Sequence, residues 1–480
     1  SACAVTVDPL TTSELTANAE RNLVAVVADQ EPVTGPIDIY DAMARALKYN
    51  LDYKVGMMEE ALRIQEVDLA RYDMLPTLVA NTGYAGRSNF SGASSRSLLT
   101  NRESLEPSTS AERDIFSTDL TFSWDILDFG LSYVRAQQKA DQALIAMERR
   151  RKVANRIIEE VRTAYWRAVS AERLLTQLET LEGSVQTAMD NSQRLSQNRV
   201  SSPLAALNYQ RELIEIQSNI RQLQRELVVA KAQLAALMNL RPDTPFTLVT
   251  PDRGAAMPEV SYSSQDMMMT ALRHRPELRE VSYLQRINAQ EMDAALLSAL
   301  PSFRAFAGAN YDSNDFLYNN SWLQYGAQAS WNVLTLFRLP EHRRTVEAEE
   351  NLLRQRELAM AMAVMTQVHV SRAQFEHREN ELETAASQNA IQSRILDQVK
   401  GGYAAGTVSR QTLLREEMNT LVAEVQYDIA YAAAQNAYAN LFASMGMDSF
   451  SPDVTGATDV ETLSASLEHL WQGRAAASTL

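Results

Sequence analysis

The sequence predicts a mainly α-helical protein with a membrane β-barrel portion, in which a strand pair and a long coiled-coil helical hairpin occur twice. Three observations lead to this fold class. The chain repeats itself at a fixed spacing, four segments alternate apolar and polar residues, and helical patterns run for about 60 residues or more without interruption.

The internal repeat is visible in short matching segments. Leu75-Pro76-Thr77-Leu78 is matched by Leu300-Pro301-Ser302-Phe303 at an offset of 225 positions. Further along, the offset falls to 207, and the matched pairs are Trp124 with Trp331, Val161 with Val368, Ser202 with Ser409, Leu234 with Leu441, and Met238 with Met445. The 18-residue difference lies in a longer loop of the first half, Arg87 to Arg113. We therefore predict one repeat over 37–240, a proline-rich connection over 241–264, and a second repeat over 265–446.

Each repeat contains two predicted strands, at 76–88 and 114–126 in the first and at 301–312 and 321–334 in the second. In the second strand an apolar set alternates with a polar set: Phe116, Thr118, Leu120, Phe122 and Trp124 against Ser117, Asp119, Thr121, Ser123 and Asp125. In the fourth strand the corresponding sets are Leu323, Tyr325, Ala327, Ala329, Trp331 and Val333 against Gln324, Gly326, Gln328, Ser330 and Asn332. This alternation is typical of a barrel wall between lipid and water, although a half-buried strand of a β-sandwich gives the same pattern. Four such strands at repeat-related positions, beside very long helices, favour the barrel.

The long helices are predicted at 130–198 and 203–240 in the first repeat and at 340–401 and 407–446 in the second. At a rise of 1.5 Å per residue, the two longer ones span about 100 Å and about 90 Å, so they must pack along their length. A coiled-coil seam with spacings of three and four is visible in the returning helix of the first repeat: Leu213, Ile216, Ile220, Leu223, Leu227, Ala230, Leu234 and Leu237. The first hairpin is predicted to close at Asn198–Pro203, where Ser and Pro end the helix, and the second at Gly401–Thr407, where the glycines break it.

Four strands cannot close a barrel, and an open sheet edge in hydrocarbon leaves backbone groups without hydrogen bonds. Two copies of the chain would supply about eight strands, the number of the smallest membrane barrels, and would leave no channel. Three copies supply twelve strands and leave a lumen. The sequence therefore predicts a homotrimer.

Composition argues against several other functions. The net charge is −15 and the pI is near 5.0, without a basic patch, which argues against a nucleic-acid partner. The sequence has no nucleophile elbow, Walker loop or GxGxxG segment, so we predict no enzyme activity, no catalytic residues and no cofactor. His369 and His377 are eight residues apart, a poor spacing for a shared metal ion, and the methionine clusters fit coiled-coil packing, so no metal site is predicted. The longest apolar run, Ala359 to Met365, is far shorter than the roughly 18 to 20 residues of a transmembrane helix.

The two ends of the chain carry weaker patterns. Residues 1–36 are predicted to be extended, with one weak helix near Glu14 to Asp29, and residues 447–480 to form a loosely ordered tail with an amphipathic stretch near Leu463 to Trp471. Cys3 follows Ser1 and Ala2, which resembles the end of a bacterial lipoprotein signal, so lipidation of Cys3 is predicted. The alternative is a free thiol on a frayed terminus.

Several of these features together resemble the TolC-like outer membrane factors, a family of efflux and secretion ducts. They are the repeat, the Leu-Pro start of the first strand in each unit, the Trp124–Gly130 segment (WDILDFG) and the Tyr403-Ala404-Ala405-Gly406-Thr407 turn, and the resemblance covers about residues 37–447. It implies a trimeric 12-strand β-barrel in the Gram-negative outer membrane that continues into an α-helical barrel through the periplasm. It also implies passive export of drugs or small molecules, together with a periplasmic adaptor (membrane fusion) protein and an inner-membrane transporter.

The same resemblance assigns roles to the hairpin tips. Adaptor contact is expected at Arg199, Val200, Ser202, Tyr403, Gly406, Thr407 and Ser409, although Gly406 alternatively serves only the geometry of the turn. Some relatives narrow the periplasmic entrance with aspartates, and Thr412 and Arg415 stand at those positions in this chain.

We therefore hypothesise a periplasmic gate at Arg410, Thr412, Arg415 and Glu416, in which ion pairs of Arg410, Arg415 and Glu416 hold the entrance shut. The alternative is a solvated charged face, where each pair contributes under about 1 kcal/mol.

Two other functions remain compatible with the sequence. The chain could be the exit duct of a type I protein secretion system, which shares the same architecture. It could also be a coiled-coil scaffold without a pore, although the alternating strands argue against this.

Overall fold

The structure, a computed structural model, describes residues 9–28, 30–104, 106–197, 203–241, 244–251, 257, 260, 262–447 and 458–477. The elements in chain order are α1 Thr12–Ala25, α2 Ile39–Tyr49, α3 Leu51–Tyr72, β1 Thr77–Gly86, β2 Asp114–Asp125, α4 Ile126–Gln197, α5 Pro203–Leu237, α6 Ser264–His274, α7 Pro276–Ser298, β3 Ser302–Asp312, β4 Ser321–Ser330, α8 Thr335–Ala404, α9 Arg410–Ser444 and α10 Val460–Ala477. None of the described helices has an apolar stretch long enough to cross a membrane.

The chain divides into two compact units. One comprises Glu60–Ala146 and Glu280–Glu357 and contains the strands, so we call it the sheet unit. The other comprises Ser1–Glu59, Met147–Arg279 and Leu358–Leu480, and we call it the helical unit.

The sheet unit is built on one four-stranded antiparallel sheet in the order β1-β2-β3-β4. Its register pairs Leu78 with Phe122, Phe122 with Ala307, and Ala307 with Tyr325. Because directly paired residues point to the same side of a sheet, most of the large apolar residues of the four strands share one face. This apolar face includes Leu78, Tyr84, Phe116, Leu120, Phe122, Trp124, Phe303, Tyr311, Leu323 and Tyr325.

The opposite face, which we call the polar face, carries hydrogen-bonded polar side chains. Asn81 Nδ2 donates to Asp119 Oδ2 at 3.1 Å, and Thr121 Oγ1 donates to the same oxygen at 3.0 Å. The sheet thus has the two unlike faces that the alternation in the sequence predicts.

Two helices begin earlier than their predicted bounds. The Asp125 carboxylate accepts from the backbone N–H of Leu127 at 2.9 Å, so α4 begins at Ile126 instead of residue 130. The predicted strand 321–334 ends at Ser330, because backbone hydrogen bonds such as Thr335 N to Asn332 O at 3.0 Å start α8. Helix α8 therefore begins at Thr335 and contains Pro340, whose missing N–H removes only one hydrogen bond near the helix start.

The longer loop, Arg87 to Arg113, contains two isolated antiparallel bridges, Ala93 with Ser108 and Arg96 with Glu103. The buried side chain of Asn314 ties this loop to the shorter one between β3 and β4. Asn314 Oδ1 accepts from the Glu112 N–H, and Asn314 Nδ2 donates to the Ser110 carbonyl, both at 3.1 Å. The two loops of the sheet unit are therefore hydrogen-bonded to each other.

The helical unit has its largest core where α2, α4, α10 and the end of α5 meet. This core contains Met43, Leu47, Ile157, Tyr165, Leu234 and Leu467, all at most 1% exposed. The C-terminal segment is more regular than predicted, because α10 buries Leu463 and Leu467 in this core and Arg162 lies 4.3 Å from the ring of Trp471. At the other end of the chain, α1 begins at Thr12, where Thr11 and Glu14 form a capping box.

A second core runs along the helices towards the hairpin tips. The predicted seam of α5 lies in it, with Leu213 and Ile220 at most 1% exposed and Leu223 partly buried. Leu174, Leu178 and Val185 of α4 and Leu414 of α9 pack in the same core and are fully buried. Burial of apolar residues at coiled-coil spacing explains why helices of this length remain paired.

Candidate functional site

The candidate functional site is the end of the helical unit where α8 turns into α9, together with the facing residues of α4 and α5. Arg199, Val200 and Ser202, expected at the first hairpin tip, lie outside the described residues. The other predicted tip and gate residues are all described.

The turn is a Schellman motif centred on Gly406. Its φ of +75° is a left-handed conformation that favours glycine, Thr407 N–H donates to Gly402 O at 2.9 Å, and Gly406 N–H donates to Tyr403 O at 3.0 Å. Gly401 and Gly402 therefore lie inside α8. The prediction that these two glycines break the helix was wrong. Gly402 instead allows close packing, since a Cβ on it would lie 2.5 Å from Val408 Cγ2.

Ser409 and Thr412 form the start of the next helix. Ser409 Oγ accepts from the Thr412 N–H at 3.1 Å and lies 3.0 Å from the Thr412 hydroxyl oxygen. Helix α9 consequently begins at Arg410, three residues later than predicted. The side chains of Ser409 and Thr412 therefore both take part in the N-terminal cap of α9.

Arg415 forms an ion pair between two different helices of the tip. Its guanidinium binds the carboxylate of Glu212 on α5, and the amide of Gln411 donates to the same carboxylate. The Arg415 side chain is 48% exposed and that of Glu212 is 22% exposed. Since α5 and α9 belong to different repeats, this pair links one hairpin to the other.

Arg410 and Glu416 have different surroundings from those hypothesised. The Arg410 guanidinium carbon lies 5.7 Å from the centre of the Tyr403 ring, a cation–π contact between α9 and the end of α8. The Glu416 carboxylate accepts from Gln392 Nε2 at 2.7 Å and from Asn419 Nδ2 at 3.2 Å. All three contacts stay within the α8–α9 hairpin.

A cavity of about 570 Å³ adjoins these residues. It is lined by side chains of α4 and α5, including Asn191 and Tyr209, and by Tyr403, Arg410 and Gln411. Burial raises the pKa of Tyr209 above its ordinary value, while the nearby positive charge of Arg410 opposes this shift. The phenol is therefore neutral at neutral pH and can donate or accept a hydrogen bond.

Sequence reasoning missed Glu212, Gln411 and Tyr209. Glu212 directly precedes Leu213 of the coiled-coil seam, and charged residues that flank such a seam commonly pair with a neighbouring helix. The position of Glu212 beside the seam was therefore the sequence signal for an ion pair between helices. Its partner Arg415 could not be predicted from a local pattern, because the two residues are separated by 203 residues.

Comparison with known proteins gives a clear result for the fold. No sequence profile of a protein family matches the chain, and no curated protein matches it in sequence. Among solved structures, the CmeC outer membrane channel of Campylobacter jejuni is 13% identical, is matched over 94% of both chains and has a TM-score of 0.66. CusC is 17% identical over 88% of this chain and 96% of its own, with a TM-score of 0.64. The open state of the MtrE outer membrane channel of Neisseria gonorrhoeae is 16% identical over 85% of this chain and 88% of its own, with a TM-score of 0.62.

Identities this low concern the fold alone. The chain has the fold of the TolC-like outer membrane channels, which confirms the resemblance seen in the sequence.

Proposed function

We propose that this chain, with its TolC-like fold, is one protomer of a homotrimeric outer-membrane channel that continues into the periplasm of a Gram-negative bacterium. In this function, small molecules leave the cell passively through the lumen. A periplasmic adaptor and an inner-membrane transporter supply the connection to the cytoplasm and the energy.

The sheet with its two unlike faces is the observation that carries this proposal. Its strands are 10 to 12 residues long, close to the roughly 9 to 11 residues that a tilted membrane strand requires. On the apolar face, aromatic residues lie near both strand ends, with Tyr84 and Phe116 at one end and Trp124 and Phe303 at the other. Aromatic girdles around an apolar band are typical of outer-membrane barrels.

The sheet edges support the trimer. Among the described residues, β1 pairs only with β2, and β4 pairs only with β3. In a ring, β4 of one protomer pairs with β1 of the next, and three copies give a closed barrel of twelve strands. Closure also explains how the exposed apolar face becomes covered, since it would then contact lipid.

Neighbouring substitutions on opposite faces of β4 test the membrane assignment. Tyr325→Arg puts a charge on the apolar face near the middle of strand β4, where exposing an arginine to lipid costs about 2–4 kcal/mol. Gln324→Arg puts the same charge on the polar face. We expect Tyr325→Arg to reduce assembly of trimers in membranes strongly and Gln324→Arg to leave it unchanged, as measured by semi-native electrophoresis of outer-membrane fractions.

Planar-bilayer recording tests the channel itself. The purified full chain should give discrete conductance steps, whereas a scaffold without a pore gives none. Equal assembly of the two arginine variants together with an absence of conductance would overturn the proposal.

We assign the gate to the Arg415–Glu212 pair, because it is an ion pair between the two hairpins at their tips. Arg415→Ala and Glu212→Gln should each raise single-channel conductance, and the double variant should resemble either single variant, since all three lose the same pair. Glu416→Ala is the matched control, because the contacts of Glu416 lie within one hairpin. Unchanged conductance in both Arg415→Ala and Glu212→Gln would remove the gate.

The tip turn is proposed to contact the adaptor. A photo-crosslinking amino acid at Ala405, an exposed residue of the turn, avoids the helix cap at Ser409. The covalently captured partner should be a periplasmic adaptor, and its identity separates small-molecule efflux from type I protein secretion. Capture of no periplasmic protein would contradict the adaptor contact.

Lipidation of Cys3 remains part of the proposal. Cys3 lies outside the described residues. Mass spectrometry of the N-terminal peptide from the purified chain would detect the acyl groups.

A further inference from the structure

The polar face of the sheet carries two aromatic residues, Phe306 and Trp322, that interrupt its polar character. The register pairs Phe306 with Gly326 and Trp322 with Asn310. Both residues therefore point to the same side as Asp119 and Asn81, and away from the apolar face.

The two aromatic rings are not equally available. A Cβ on Gly326 would lie 2.7 Å from Phe306 Cζ, so the Phe306 ring packs directly over this glycine. Trp322 is 43% exposed. Trp322 is thus the aromatic surface of the polar face that a ligand can stack on.

A carboxylate lies in the same row of the sheet. The register places Asp119, Asn310 and Trp322 side by side on β2, β3 and β4. Two strand spacings separate Asp119 from Trp322, which is about 10 Å between their backbones. The hydrogen bonds that Asp119 accepts come from the neutral groups of Asn81 and Thr121, so its negative charge is not matched by these partners.

The other charged residues of the polar face also favour the binding of cations there. Asp125 and Asp312 add two negative charges, while Arg304 adds one positive charge and donates to Ser123 Oγ at 3.0 Å. An indole face attracts cations through its quadrupole, and a nearby carboxylate attracts them through its charge.

We propose that Trp322 and Asp119 form a binding site for planar aromatic cations on the inner wall of the channel. The proposal rests on the proposed channel function, because it requires the polar face to line the lumen. The aromatic plane of the ligand stacks on Trp322, and its positive charge lies towards Asp119. A separation of about 10 Å suits a ligand of two or three fused rings.

Ethidium, a planar aromatic cation, is the probe. In planar bilayers, ethidium should block the current of the full-length channel reversibly. Trp322→Leu keeps an apolar side chain without the aromatic ring, and we expect it to raise the half-blocking concentration about three- to tenfold. Trp322→Phe should give an intermediate value, and Asp119→Asn should also weaken the block.

Two controls separate stacking from general effects. Tyr325→Leu removes an aromatic ring that is 85% exposed on the opposite face, and it should leave the block unchanged. Tetramethylammonium, a cation without an aromatic plane, should block the wild type and Trp322→Leu equally. An unchanged ethidium block in both Trp322→Leu and Asp119→Asn would overturn the site.

The outcome remains distinct from that of the channel proposal. If the wild type carries no current, the channel function fails, and ethidium binding to the detergent-solubilised chain is measured instead by fluorescence anisotropy. Weaker binding to Trp322→Leu than to wild type then supports the site, and equal or absent binding overturns it.

Discussion

Replacing Gly446 by alanine should destabilise the helical unit through two separate effects. Gly446 has a φ of +69° at the end of α9, a left-handed conformation that costs an L-residue about 1–2 kcal/mol. The added Cβ would also lie 2.7 Å from the carbonyl carbon and 2.8 Å from the carbonyl oxygen of His274. Because backbone atoms cannot rotate away, relieving this overlap should cost a further 1–3 kcal/mol or so.

The resulting loss of about 2–5 kcal/mol corresponds to a fall in melting temperature of about 2–5 °C, since the unfolding entropy of a chain of this size is roughly 1 kcal/mol/K. Thermal unfolding followed by circular dichroism at 222 nm measures this shift. Gly183→Ala is the matched control, because a Cβ there meets nothing within 4 Å. In the interior of α4, alanine should stabilise the helix by up to about 1 kcal/mol. A melting temperature of Gly446→Ala at or above that of the wild type would refute the reasoning.

Two further variants test individual hydrogen bonds, one made by Glu31 and one made by Asn314. A hydrogen bond from Lys48 lowers the pKa of Glu31 below its ordinary value of 4.5, so this carboxylate contributes stability above pH 4.5 that is lost as the pH falls through the lowered folded value. Glu31→Gln should therefore lose less stability than the wild type when thermal unfolding is compared at pH 7 and about pH 3, and an equal loss would contradict this linkage. Asn314→Ala should leave the Glu112 N–H without its acceptor at a cost of about 1–3 kcal/mol, which hydrogen exchange should detect as faster exchange at that amide. Unchanged exchange would show that Asn314 does not hold the two loops together.

Most of the fold was predictable from the sequence, because duplication and periodicity are local signals. The alternation over Phe116 to Asp125 needs only the period of two of a strand, and the observed register places these residues as that period requires. The α5 seam needs only the coiled-coil spacing, and Leu213 and Ile220 are buried as expected.

Element ends were harder to predict, because they depend on individual hydrogen bonds. The alternating pattern predicts that Asp125 is the last polar residue of a strand, but its carboxylate also caps α4. Gly401 and Gly402 read as helix breakers, yet the left-handed turn occurs at Gly406 and the two earlier glycines remain helical. Propensity alone does not identify which of three glycines terminates a helix.

The region of the candidate site could be predicted from the sequence, but the residues that pair with each other in it could not. The turn at Tyr403 to Ser409 follows from its composition. The pairing of Arg415 with Glu212 depends on how two hairpins from different repeats pack, which no local pattern contains. The position of Trp322 on the polar face likewise depends on strand register.

The two helix ends that close the repeats show how duplication constrains this fold. Asn239 and Gly446 are repeat-mates at the offset of 207, and both have a positive φ, 58° and 69°. Before them in the chain, the repeat-mates Asn50 and Arg275 each donate a side-chain hydrogen bond to a carbonyl near the end of the returning helix, of Leu237 at 3.4 Å and of Ala443 at 3.1 Å. Both repeats have the left-handed residue and the external donor, although the residue type differs within each pair. Helix termination at this point is therefore a requirement of the backbone, and the side chains that meet it were free to diverge between the two repeats.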